Sequence, residues 1–144
     1  MKMKLPLNYV TAEEFAPYGR VLEFTPDADP RFQVVITEEH EPWRLAVFRY
    51  SNHEISMMES HPTTLESFEP LSGVTVLLVA EPGSPDKPQA FLLDKPVCLY
   101  KGVWHQAMAL TAEAQCKIAE NLDVPGTQFH HLEHPVGLWM TDMG

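Results

Sequence analysis

The sequence predicts an all-β domain of sandwich or barrel type with one short N-terminal helix. Three observations predict it. Short apolar or alternating runs recur at about the eight-to-twelve-residue rhythm of such folds, giving roughly nine to ten strands. Thirteen prolines spread over 144 residues cut the chain into pieces too short for a helical bundle. Polar turn clusters such as Ser51-Asn52-His53-Glu54 and Leu71-Ser72-Gly73 separate the runs.

The helix comes first. Thr11-Ala12-Glu13-Glu14 is a capping box, in which the Thr11 hydroxyl accepts from the third helical amide while Glu14 reaches back. A helix is expected over 12–16, ended by Pro17-Tyr18-Gly19. A strand over 20–24 follows, then a loop over 25–31 rich in Asp and Pro. The β-rich runs 32–37 and 45–50 flank the acidic turn Glu38-Glu39-His40-Glu41, with Trp43 at its rim. Strands are expected over 55–61 and, briefly, 67–70. The run 74–80 is the most apolar and reads as a central buried strand. After a surface loop over 81–88, strands are expected over 90–93, 97–100, 104–110 and 115–122. The segment after Pro125-Gly126 reads as irregular. If helical, it would put His130 and His134 on one face; a solvated or contact-forming histidine cluster is the plainer reading. Trp104 and Trp139 read as packing residues.

Composition bounds the function. The length fits one domain, residues 1–144, and 44% hydrophobic residues make it globular. Twenty acidic residues against ten basic give a net charge of −10, which argues against nucleic acid and anionic membranes as partners. A small anionic metabolite remains compatible, since a few local cations suffice. Cys98 and Cys116 make no disulfide framework and read as buried thiols. There is neither a long apolar run nor a leader-like N-terminus, so the expected location is cytoplasmic.

The chemistry concentrates in Glu59-Ser60-His61-Pro62-Thr63-Thr64-Leu65-Glu66 and in Gly102-Val103-Trp104-His105. Ile55, Met57, Glu59 and His61 are spaced two apart and share one face of a strand, with Ile55 and Met57 as an apolar floor. Glu66 can swing back after the Pro-Thr-Thr turn, and His105 opens a later strand. Two imidazoles and two carboxylates on one wall make a site for a divalent metal or for acid–base work. His61 and His105 are candidates for ligand or base, and Glu66 for ligand or acid. Lys101 could hold a substrate carboxylate by charge, and Met57 could line the pocket.

The spacing of His61, Glu66 and Gly73 is similar to the first cupin motif, and Gly102-Val103-Trp104-His105 resembles the end of the second. By that resemblance Glu59, His61, Glu66 and His105 fall on the four metal-ligand positions. The fold implied is a cupin-like jelly-roll β-barrel. A closer resemblance is to the cupin-like ureidoglycolate lyases, once called ureidoglycolate hydrolases. It rests on Glu14-Phe15-Ala16-Pro17-Tyr18-Gly19, on Glu59-Ser60-His61-Pro62 through Phe68-Glu69-Pro70-Leu71-Ser72-Gly73, and on Tyr100-Lys101-Gly102-Val103-Trp104-His105. The resemblance implies a homodimer and a C–N lyase of allantoin breakdown that releases glyoxylate and urea. It also implies a divalent metal such as Zn, Mn, Ni or Fe. Ser60 stands where the family usually has Arg, and Glu66 where it often has Gln. These departures favour two alternatives: a metal- or ligand-binding cupin without lyase activity, or a cupin isomerase or dioxygenase acting on another small oxo-acid or sugar.

Overall fold

The computed structural model describes residues 3–27 and 29–137; Trp139 lies outside them. The elements run β1 (Leu7–Tyr9), α1 (Ala12–Phe15), β2 (Gly19–Val21), β3 (Trp43–Tyr50), β4 (Glu54–Ser60), β5 (Glu66–Ser72), β6 (Thr75–Ala80), β7 (Gln89–Leu92), β8 (Val97–Leu99), β9 (Trp104–Ala109), β10 (Ala114–Asn121) and β11 (Gln128–Gly137). Six strands form one sheet in the order β1-β7-β6-β9-β4-β11, and five form a second in the order β2-β8-β5-β10-β3. The expected all-β class holds. Among the described residues no ladder joins the two sheets, so they face each other as separate layers and do not close into a barrel. No helix among them is long and apolar enough to cross a membrane.

The alternation of strand residues builds two cores. Along β6 every residue is buried. Leu77 and Val79 point between the sheets, where they meet Phe68, Leu99, Cys116 and Ile118 of the second sheet. Val76, Leu78 and Ala80 point the opposite way, into a cluster with Ile55, Met58, Trp104, Met108, Leu132 and Val136. The first sheet is therefore covered on both faces, which explains the uninterrupted apolar run over 74–80. Thr11 caps α1 as expected, its hydroxyl accepting from the Glu14 amide at 3.1 Å. Phe15 is buried and packs edge-on against Tyr18 and Phe91, which pins the helix to the inner core. Both cysteines are buried free thiols, and burial pushes the Cys98 thiol up to about 11.

Three expectations are corrected. Residues 32–37 form no strand; Phe32 and Val34 are exposed there. The segment after Pro125 is not irregular: β11 pairs antiparallel with β4, His130 opposite Met58, so His130 and His134 lie on a strand and not on one helical face. Its pairing shifts register between His131 and Val136. Finally, Ile55 and Met58 are three apart yet share the outer cluster, so the alternation of β4 breaks between them. Ile55 is therefore no part of the floor beneath Glu59.

Candidate active site

The two sheets bring the two motif segments together. Glu59 on β4 is directly opposite His105 on β9, both on the inner face of the first sheet. The end of β4 is fastened to the turn before β9. The Gly102 amide donates to the His61 carbonyl at 3.0 Å, and the Ser60 hydroxyl donates to the Gly102 carbonyl at 2.9 Å. Gly102 has φ of 84°, in the left-handed region that glycine adopts without strain. From the facing sheet, Glu66 at the start of β5 points back at both histidines.

The four groups converge closely. Glu66 Oε1 lies 2.9 Å from His105 Nε2 and 3.2 Å from His61 Nε2. Glu59 Oε1 lies 3.7 and 3.6 Å from the same two atoms. The other ring nitrogens are engaged behind. His105 Nδ1 is 3.1 Å from the Val103 carbonyl, which can only accept, so the proton sits on Nδ1. His61 Nδ1 meets Thr127 Oγ1 at 3.0 Å, and that hydroxyl in turn donates to the Val124 carbonyl at 3.4 Å. Both Nε2 lone pairs thus face two carboxylates. Glu66 Oε1 and His105 Nε2 are buried and, despite their proximity, lack a well-aligned hydrogen bond. Four acceptors aimed at one point require a cation among them, a proton or a metal ion. The set fits a first-row divalent ion, with imidazoles oriented by their second nitrogens as metal ligands are.

Without an ion the groups hold one another. Burial opposes charge on His61, but Glu59 and Glu66 overcome it and hold the ring up at about 10. Burial likewise pushes the Glu66 carboxyl up, and His105 and His61 more than reverse this, drawing it down to about 2. Glu59 is lowered chiefly by His61. His61 therefore lends stability that is complete below its ordinary 6.5 and is lost as pH rises through about 10. Glu66 lends stability that is complete above its ordinary 4.5 and is lost as pH falls towards about 2. The melting temperature of the chelator-treated protein should therefore form a plateau between those two ordinary values. It should fall on either side, and His61→Gln should flatten the alkaline limb; thermal melts across pH test this.

The cavity beside the cluster measures about 250 Å³ and is bounded by Glu59, Glu66, His105, Phe48, Phe68 and Ile118. Met57 does not line it; with Ser56 and Asn52 it borders a separate depression. Lys101 is ion-paired with Glu38 at 3.0 Å, and Glu38 belongs to the wall of another cavity. Sequence reasoning missed Glu120. It is opposite Glu66 on β10, and His61, Glu66 and Glu120 bring one ligand atom each within 4.8 Å of one another.

The family described as ureidoglycolate lyase matches residues 30–124. Ureidoglycolate lyase of Agrobacterium fabrum (strain C58) is 33% identical, with 81% of this chain and 83% of that protein covered. Its namesake from Rhizobium etli (strain CIAT 652) is 29% identical over 85% of this chain and 86% of the relative. That of Burkholderia mallei (strain NCTC 10229) is 29% identical over 96% of this chain and 94% of the relative.

Proposed function

The chain belongs to the ureidoglycolate lyase family, and from that premise we propose that it cleaves ureidoglycolate to glyoxylate and urea at the Glu59–His61–Glu66–His105 cluster. We read the two facing sheets as a cupin jelly roll, and the cluster as its metal-ligand set. The observation that carries the proposal is the convergence of two imidazoles and two carboxylates on one point at the wall of a half-open cavity.

The reaction needs few groups. The substrate hydroxyl loses its proton, its oxygen electrons form the aldehyde, and the C–N bond breaks with its pair passing to the urea nitrogen, which takes a proton. Nε2 of His105 is placed to accept the hydroxyl proton, because its Nδ1 proton is committed to Val103. Charged His61 is placed to protonate the departing nitrogen. Glu66, already ionised well below neutral pH, is no acid at pH 7; it orients both rings. The apolar side chains of Phe68 and Ile118 exclude water from the wall behind them. These two proton roles belong to the metal-free cluster; where Glu59, His61, Glu66 and His105 instead hold a divalent ion, both Nε2 atoms would be ligands and the ion would supply Lewis-acid polarisation of the substrate hydroxyl.

The test is direct. The purified protein, incubated with ureidoglycolate, should release glyoxylate well above the spontaneous rate. Chelation followed by elemental analysis then separates the two fillings of the cluster. Activity that falls on chelation and returns with Zn, Mn, Ni or Fe supports the metal set; unchanged activity in a metal-free sample supports proton chemistry alone. Glyoxylate release no faster than the spontaneous rate, in both metal-loaded and metal-free samples, overturns the lyase reading.

A further inference from the structure

We propose that Arg44 is the anchor for the substrate's carboxylate, a role that rests on the lyase reading and gives its cavity a specific end. Arg44 stands in the same cross-strand rung as Glu120 and Glu66: β3 pairs Arg44 with Glu120, and β10 pairs Glu120 with Glu66. The next inward rung is Ala46, Ile118 and Phe68, all lining the cavity. Strand alternation puts Arg44 on the same face as Ala46, Phe48 and Tyr50. Phe48 and Tyr50 confirm that face by their ring contact at 4.7 Å. Of the charged rung beyond it Glu66 lines the cavity, and Arg44 and Glu120 stand one step past that wall.

Glu120 holds the guanidinium there. Arg44 Nη2 and Nε donate to Glu120 Oε2 at 2.6 and 3.0 Å. Of the five N–H donors a guanidinium carries, two are used and the rest face no other partner among the described residues. Its side chain is 47% exposed, so an incoming anion can reach those donors. Glu120 is also the carboxylate that meets His61 and Glu66. One ion pair therefore sets Arg44 a single residue away from the reacting groups. The other cation once considered, Lys101, is committed to Glu38. A planar fork suits a carboxylate better than a point charge, because two parallel donors fix its orientation. With the carboxylate at Arg44, the hydroxyl-bearing carbon next to it is turned towards the cluster.

The test measures binding of glyoxylate, the anionic product, by calorimetry on the full chain, with turnover assayed separately. Arg44→Ala should weaken glyoxylate binding about ten- to hundredfold and raise KM more than it lowers kcat. Arg44→Lys should fall between the two, and added guanidinium should restore part of the loss in Arg44→Ala. A merely structural Arg44 would act by neutralising Glu120; the double variant Arg44→Ala with Glu120→Gln would then bind glyoxylate as the wild type does. The anchor assignment expects the double variant to stay weak. Wild-type affinity in Arg44→Ala or in the double variant overturns the assignment, as does a wild-type protein that binds no glyoxylate. A wild-type protein that binds glyoxylate through Arg44 but never turns over ureidoglycolate leaves the anchor standing and removes the lyase reading.

Discussion

Replacing His105 by alanine should reduce glyoxylate release to near the spontaneous rate, a loss of about a thousandfold in kcat/KM. The ring is buried on the inner face of β9, between the two sheets, and does three jobs at once. Its Nε2 is the ring nitrogen nearest Glu66, its Nδ1 is fixed by Val103, and the ring meets Phe68 edge-on with centroids 5.7 Å apart. Alanine removes the proton acceptor and leaves Glu66 with only His61 beside it. Steady-state assays corrected for the uncatalysed reaction measure the loss, and thermal melts confirm that the variant is folded. Activity within about threefold of wild type would take His105 out of the chemistry, since general-base roles are worth about a hundredfold or more.

The second large effect is on stability. Gly73 ends the turn between β5 and β6 with φ of 68°, and a Cβ built there would lie 2.2 Å from the Glu113 carbonyl oxygen. Both obstacles are backbone: the conformation itself disfavours any side chain, and the clashing atom belongs to the loop that leads into β10. Gly73→Ala should therefore cost about 3–5 kcal/mol, combining left-handed strain with overpacking. That is a large share of the stability of an ordinary domain. Denaturant titration measures it directly. A shift below about 1 kcal/mol would show that the turn can swing away and that the glycine is not required by geometry. The same turn sets where β5 ends, so the motif glycine bears on the placement of Glu66 without touching it.

How much of this was legible in the sequence depends on whether local pattern or register supplied the information. The capping box at Thr11, the apolar run of β6 and the convergence of Glu59, His61, Glu66 and His105 are readable because each rests on spacing within a few residues or on a recognisable motif. β11 escaped because half of its residues Gln128–Gly137 are polar, and its register shift breaks the period of two. The run 32–37 looked like a strand because Phe32, Val34 and Ile36 alternate, yet no strand among the described residues pairs with it. β1 is a strand only because β7 lies parallel beside it. The Arg44–Glu120 pair was invisible for the same reason: its partners are 76 residues apart and meet through the pairing of β3 and β10. Only the register, which no local pattern states, places that arginine in one rung with Glu66, across Glu120.

The fastening of His61 to Gly102 is made by one main-chain amide and one main-chain carbonyl. Such a link has no identity of its own: it survives exchange of the side chain at either of its neighbours so long as the path of the chain is kept. Position 60 can therefore drift between a long cation and a short alcohol without displacing the imidazole next door. Here the shorter residue adds a second strap to the same turn.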